Sequence, residues 1–260
     1  MKLEIRNQQP STFPIPEYRF LEGALKRRIG VTERFGKAGS FLAGDRQWAG
    51  RTTSLIGDIN DTTDAGFIAE FAKLVEIFDN RFNPYFVVDT ENDRRIEVEL
   101  DTLNPSGGEA LVKKLTNVRM RLFLPEVAWE DLDEKTETSP SAGTGTGETI
   151  EVTNGGQLET YPVITVVPIA KNTKFTLFNN TIEDLITIQS NAFTVGTSIE
   201  IDAINGTVFL NDGTTRTEIS SSVADRTGFF FLARGLNVIS YESPFGKVDI
   251  SIAFRNRFLF

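Results

Sequence analysis

The chain has 260 residues with no histidine and no cysteine, and 27 basic against 36 acidic side chains leave it at net −9. Without imidazole or thiol there is no Ser-His-Asp or Cys-His triad, no conventional zinc, haem or iron–sulfur site and no disulfide framework, and the acidic balance argues against a sequence-general grip on duplex DNA. At about 150 residues per domain the length suits one large domain or two ordinary ones; the apolar stretches are far shorter than a membrane span, and charges interrupt Met1–Pro16, so the expectation is a protein made in the cytoplasm without membrane insertion.

Gly30–Gly57 is dense in glycine and arginine and, with Lys26-Arg27-Arg28, Arg46 and Arg51, forms the most basic part of the chain. Glu33 and Asp45 interrupt it, so salt bridges to an acidic neighbouring subunit account for these residues better than phosphate binding. Arg51–Ile59 and Tyr85–Val88 read as strands. Between them Asp64–Phe82 places Phe67, Ile68, Phe71, Leu74, Val75 and Phe78 on one stripe at helical period, with Thr62, Thr63 or Asp64 as N-cap and Asn83-Pro84 as the stop. Arg95–Leu100 and Val118–Leu124 alternate, putting Ile96, Val98 and Leu100, then Val118, Met120 and Leu122, on one sheet face. These elements predict an α+β domain over 1–135, a barrel-like sheet covered by one helix.

Glu130–Gly156 turns acidic and then rich in Ser, Thr and Gly, almost without large apolar residues before Ile150. Such composition cannot offset its ordering entropy by burial, so 136–156 is expected to be a linker or long loop. Its GTGTG run lacks the strand before and the helix after that a dinucleotide fingerprint needs. Over 157–260 the candidate strands are Pro162–Val167, Lys174–Asn179, Ile186–Gln189, Ser198–Asp202, Thr207–Leu210, Gly228–Leu232, Asn237–Ser240 and Lys247–Phe254. Asn179-Asn180, Asn205-Gly206, Asn211-Asp212-Gly213, Arg234-Gly235 and Pro244-Phe245-Gly246 separate them. Asn205-Gly206 is the strongest hairpin signal, with both residues expected at positive φ. Eight short strands without a helix predict a β-sandwich or jelly roll.

Carboxylates are the only plentiful acid–base groups, so a glycosidase-like pair is the enzyme reading to weigh. Glu183 with Asp184, Glu200 with Asp202, and Asp212 are the candidates, yet Trp48 and Trp129 lie in the other half and no nucleophile–base pair emerges. The expectation is no enzyme, no cofactor and no metal; Asn211-Asp212-Gly213 has oxygen ligands suited to calcium but lacks the repeated acids of a dedicated loop. Phenylalanine is overused, 21 against 4 Tyr. In Phe229-Phe230-Phe231 alternate rings point outward, which leaves Phe230 or its neighbours facing either another subunit or a covering loop. Arg46, Trp48, Arg51, Phe230, Arg257, Phe258 and Phe260 are the expected subunit or partner interface.

Taken in order, the glycine-rich segment, TTSLIGDI, the amphipathic helix, NPYFVV and LPEVAWEDL, then GGQLETYPVITV, SIEIDAINGTVFLNDG, FFFLARGLNVI and RNRFLF resemble the distal tail proteins of long-tailed, non-contractile bacteriophages. The resemblance covers nearly the whole chain and rests on order and spacing. It implies a galectin-like C-terminal sandwich and a structural protein of the virion tail tip. It further implies a six-fold ring that caps the tail tube around a lumen passing DNA. The partners so implied are the tube protein, a tail hub, tape-measure or central fibre protein, and a receptor-binding protein. A receptor- or carbohydrate-binding tail accessory is the alternative; it needs exposed Trp or Tyr in the second half, where only Tyr161 and Tyr241 occur.

Overall fold

A computed structural model describes residues 3–6, 12–14, 31–33, 40–42, 51–60, 65, 66, 68, 69, 72, 85–105, 114–124, 128–139, 146–170, 173–226, 229–243 and 247–259. The chain divides into two compact units that meet between Leu132 and Asp133.

The N-terminal unit is built on an antiparallel sheet of β1 (Leu3–Arg6), β2 (Thr12–Pro14), β5 (Arg51–Asn60), β6 (Tyr85–Asp89), β7 (Arg94–Pro105) and β8 (Lys114–Leu124), in the order β2-β1-β6-β7-β8-β5. β3 (Val31–Glu33) and β4 (Ser40–Leu42) form a separate ribbon, and β9 (Trp129–Asp131) pairs with β7. The sheet has two ends rather than closing into a barrel, which corrects the barrel-like expectation. Its alternation is the predicted one: Tyr85, Val87, Ile96, Val98, Met120 and Leu122 are buried, with Tyr85 opposite Val98, Val87 opposite Ile96 and Leu100 opposite Leu122. A register shift between Leu100 and Thr102 then brings Leu103 opposite Met120, so the apolar sequence spacing changes from two to three without losing its partner strand. Of the predicted helix, the described residues 65, 66, 68, 69 and 72 are helical, and Ile68 is exposed rather than part of a buried stripe.

The C-terminal unit is a sandwich. One sheet runs β10 (Lys135–Thr138), β20 (Val248–Phe254), β12 (Val163–Pro168), β15 (Ser198–Asp202), β16 (Thr207–Asn211) and β17 (Arg216–Glu218). The other runs β11 (Thr146–Asn154), β19 (Gly235–Glu242), β13 (Lys174–Asn179), β14 (Asp184–Gln189) and β18 (Val223–Arg226). Alternate residues of both sheets meet in one core, including Ile164, Val166, Ile199 and Ile250 from the first and Val152, Phe175, Leu177, Ile186 and Ile239 from the second. The expected linker 136–156 therefore differs from what is found, because β11 and most of β10 lie within it and are laddered to β19 and β20. Composition missed this because an edge strand needs few apolar residues: Ile150 and Val152 alone carry β11 into the core. Of the run expected as a strand over Gly228–Leu232, the described residues 229–232 contribute an isolated bridge at Leu232 and no strand, and Gly228 and Pro244-Phe245-Gly246 lie outside the described residues.

Three hairpins share one device. In each, four residues separate the paired flanks, Asp89 and Arg94, Asn179 and Asp184, Asp202 and Thr207. The first flank's side-chain oxygen accepts the backbone N–H two residues on, from Glu91, Thr181 and Ile204. The fourth loop residue has positive φ: Asp93 at 50°, Glu183 at 60° and Gly206 at 64°. The Asn205-Gly206 turn is thus four residues long, and of its pair only Gly206 adopts positive φ.

The last strand, β21 (Arg257–Phe258), and the residues beside it close one end of the sandwich. Leu158 bridges Arg257, Gly155 N–H donates to Asn256 Oδ1 at 2.9 Å, and Leu259 N–H donates to Gln157 Oε1 at 3.0 Å. A Cβ at Gly156 would stand 2.5 Å from the Arg257 carbonyl oxygen and 2.6 Å from its nitrogen, whereas at Gly155 the nearest atom is 3.6 Å away. Gly156→Ala should therefore cost about 1–3 kcal/mol in chemical denaturation while Gly155→Ala stays close to neutral. Glu183→Asn, which suits the left-handed region, should raise stability by up to about 1 kcal/mol in the same assay.

Candidate interaction surface

The sequence-predicted acids are absorbed by local structure. Glu183 is the left-handed residue of its hairpin. Glu200 is paired with Arg216, whose guanidinium also stacks on Phe209 at 3.5 Å. Asp202 accepts the N–H groups of Ile204 and Asn205, each at 3.1 Å, and the Asn205 side-chain amide at 2.7 Å. Asp212 takes both the N–H and the hydroxyl of Thr214 and of Thr215 at 2.7 to 2.9 Å. Its lone pairs are used within its own turn. Among the described residues no group of three or more acids is arranged to hold a metal ion.

The expected interface residues fall in different places. Arg46, Trp48 and Phe260 lie outside the described residues. Arg51 opens β5 opposite Leu124. Phe230 is 2% exposed and belongs to the core, so of the three consecutive phenylalanines it is the one turned inward. Arg257 and Phe258 are half-buried in β21.

What the fold brings together is the closed end of the sandwich. Thr160 and Leu232 exchange backbone hydrogen bonds at 3.1 and 2.7 Å, and Ala203 N–H donates to the Pro162 carbonyl at 3.2 Å. These bonds bring the segments around Tyr161, Phe229–Phe231 and the Ala203–Gly206 turn to one end. There Tyr161 meets Phe231 edge-on at 6.3 Å between ring centroids, and the Arg257 guanidinium lies 5.8 Å from the Tyr161 ring. Arg226 sits 4.9 Å over Phe229, whose ring approaches the back of Gly206. Ile204 and Leu236 stand exposed close by in sequence. Two arginine–aromatic stacks beside exposed aliphatics are the composition that dominates protein–protein contacts. Arg257 is among the residues expected at an interface from the sequence, whereas Arg226, Tyr161, Phe229 and Phe231 are not, because the Arg257–Tyr161 and Tyr161–Phe231 contacts join segments distant in sequence.

In the N-terminal unit the outward face of β7 carries Glu97, Glu99 and Asp101, all exposed. Arg121 bonds Asp101 at 3.0 Å, and the exposed Phe123 stands opposite Glu99. On the same face Phe86 stands opposite Glu97 with the Arg95 guanidinium 4.3 Å over its ring, so three acids share it with Arg95, Arg121 and two aromatic rings.

Residues 155–258 match the family model of the siphovirus-type tail component, C-terminal domain. Over 99% of both chains the fold is similar to that of the Dit protein of phage SPP1, described as a paradigm of the hub adsorption apparatus in phages infecting Gram-positive bacteria, with a TM-score of 0.65 at 13% identity. Chains of the phage p2 baseplate in its activated conformation, with strontium and with calcium, match over 97% of both chains, with TM-scores of 0.52 and 0.50 at 10% identity. No curated protein matches the chain by sequence.

The Asp212 turn supplies a pH prediction. The Thr215 N–H first, then the Thr214 hydroxyl and the remaining two bonds, hold the carboxyl well below its ordinary value of 3.8. A depressed folded pKa contributes order above the unfolded pKa and loses it as pH falls through the folded one. The Thr214 and Thr215 amide resonances should accordingly stay fixed in an NMR titration down through pH 3.8 and move only at still lower pH.

Proposed function

We propose that this Dit-like chain is a structural, non-enzymatic component of a phage tail tip. The observation that carries the proposal is the whole-chain agreement in fold with the SPP1 Dit hub protein, joined to the sequence match of its C-terminal unit to a siphovirus tail component. In this proposal the N-terminal unit forms a ring, six-fold as in the resemblance, on the distal end of the tail tube, and the sandwich carries contacts to the central hub or fibre and to receptor-binding parts.

Charge supports this assignment of roles. A lumen that passes DNA works best when it repels phosphate, and the exposed Glu97 and Glu99 of β7 are the charges proposed to do so. A closed ring requires a heterologous contact that returns on itself by rotation, and the Gly30–Gly57 segment with Arg46, Trp48 and Arg51 is the proposed counterpart to acidic neighbours. The carbohydrate-binding alternative draws no support from Tyr241, which is 1% exposed with its hydroxyl donating to Glu148. Nor does Tyr161 offer a free platform, since Phe231 and Arg257 already flank it.

Light scattering of the purified protein over a range of concentrations tests the ring. A species six times the 28.9 kDa chain mass, with a central hole in negative-stain images, is the expected result. A monomer that also fails to assemble on purified tail tubes would overturn it. In virions, Glu97→Lys combined with Glu99→Lys should slow DNA release if this face lines the lumen.

A further inference from the structure

We infer that the outer edge of β11, from Thr149 to Asn154, is a strand-addition site for an extended, lysine- or arginine-bearing segment of a partner protein. The inference stands on the C-terminal sandwich alone and does not need the ring.

The sandwich has four edge strands among the described residues. β17 spans three residues, β10 four, and β18 four with a register shift opposite Thr187 and Ile188. Short or irregular edges of that kind are how sheets avoid unwanted pairing. β11 differs on each count. It has nine residues, and from Glu148 to Asn154 its ladder with β19 runs without a break, its one irregularity lying between Thr146 and Glu148. At roughly 3.3 Å per residue the six residues Thr149–Asn154 present an edge about 20 Å long, enough for a whole strand. No proline or basic side chain guards it.

Orientation and charge define the occupant. Ile150, Val152 and Asn154 point into the core, which fixes the strand. Thr149, Glu151 and Thr153 are exposed on the opposite face, two of them β-branched residues suited to a new cross-strand neighbour. Glu151 is the charge on that face, Glu148 lying on the core side with its carboxylate bonded to the Tyr241 hydroxyl, and Glu137 is exposed on β10, an edge of the other sheet. An antiparallel second copy of β11 centred on Glu151 would set the two Glu151 carboxylates face to face, which destabilises a cross-strand pair. The occupant that fits is therefore a different strand, with Lys or Arg on the face shared with Thr149, Glu151 and Thr153 and small apolar residues on the other.

The probe is the acetylated, amidated peptide KVKVTVKV, added to the full chain, with EVEVTVEV as its charge-inverted control. The expected result is saturable binding of the lysine peptide by isothermal titration calorimetry, with slowed hydrogen exchange confined to amides of Thr149–Asn154, and at least five-fold weaker binding of the glutamate peptide. Glu151→Lys, at an exposed position, should leave the circular dichroism unchanged and invert the preference between the two peptides. Absence of binding at millimolar peptide, equal binding of both peptides, or protection mapping to β17 or β18 instead would each overturn the inference.

Discussion

The C-terminal unit depends on buried asparagines that complete the hydrogen bonding of chain segments lacking a ladder of their own. Asn237 is fully buried yet accepts the Ala233 N–H and donates to the carbonyls of Ala233 and Gly235, at 2.8 to 3.1 Å. Asn154 donates to the carbonyls of Leu158 and Leu232 and accepts from Gly156. Asn179 donates to the Phe231 carbonyl while capping its own hairpin, and Asn256 accepts from Gly155. Each amide offers donors and acceptors at once, which no apolar residue of similar size can do. Left without them, these buried backbone groups would each forfeit about 1–3 kcal/mol. The Phe229–Leu232 segment owes its irregular course to them: it runs beneath the sandwich end as a strap tied by side chains, which is why its alternation did not produce a strand.

That arrangement also positions the interaction surface. Once Asn179 and Asn154 fix the carbonyls of Phe231 and Leu232, Phe230 is committed inward and its two neighbours are committed to the half-exposed layer where Arg226 and Tyr161 meet them. The rings are thus presented by a polar scaffold lying directly behind them. An end held in this way is ready to bind without ordering first, so little of its contact energy goes into conformational entropy.

Strands that alternate between core and solvent were legible in the sequence: Lys174–Asn179 and Ser198–Asp202 were read with the observed bounds, and β7 and β8 were read shorter than they are. The missed strands β1, β2, β3, β4, β9, β10, β17, β18 and β21 are two to four residues long, below the length at which alternation can be distinguished from chance. β11 was missed for another reason, since its Thr and Glu residues face outward and imitate a linker. The hairpins carried a clearer code than was used, an Asp or Asn followed four residues later by the one residue in the left-handed region. The acids were legible as residues but not as roles, because whether a carboxylate is free or spent depends on amides that become neighbours only after folding.

The order of strands in the first sheet of the sandwich has a consequence for how the protein is made. β20 occupies an inner position, between β10 and β12, although it is the last long strand of the unit to be synthesised. Until it leaves the ribosome, β10 has no partner in its sheet and β12 has only β15, while the core lacks Val248, Ile250, Ile252 and Phe254. β11 likewise waits for β19, more than 80 residues downstream. The unit therefore cannot complete its core during elongation, and its unpaired strands must stay apart from those of neighbouring nascent chains. The threonine-rich, apolar-poor composition of β10 and β11, with two glutamates in β11, keeps the two waiting strands hydrated through that interval.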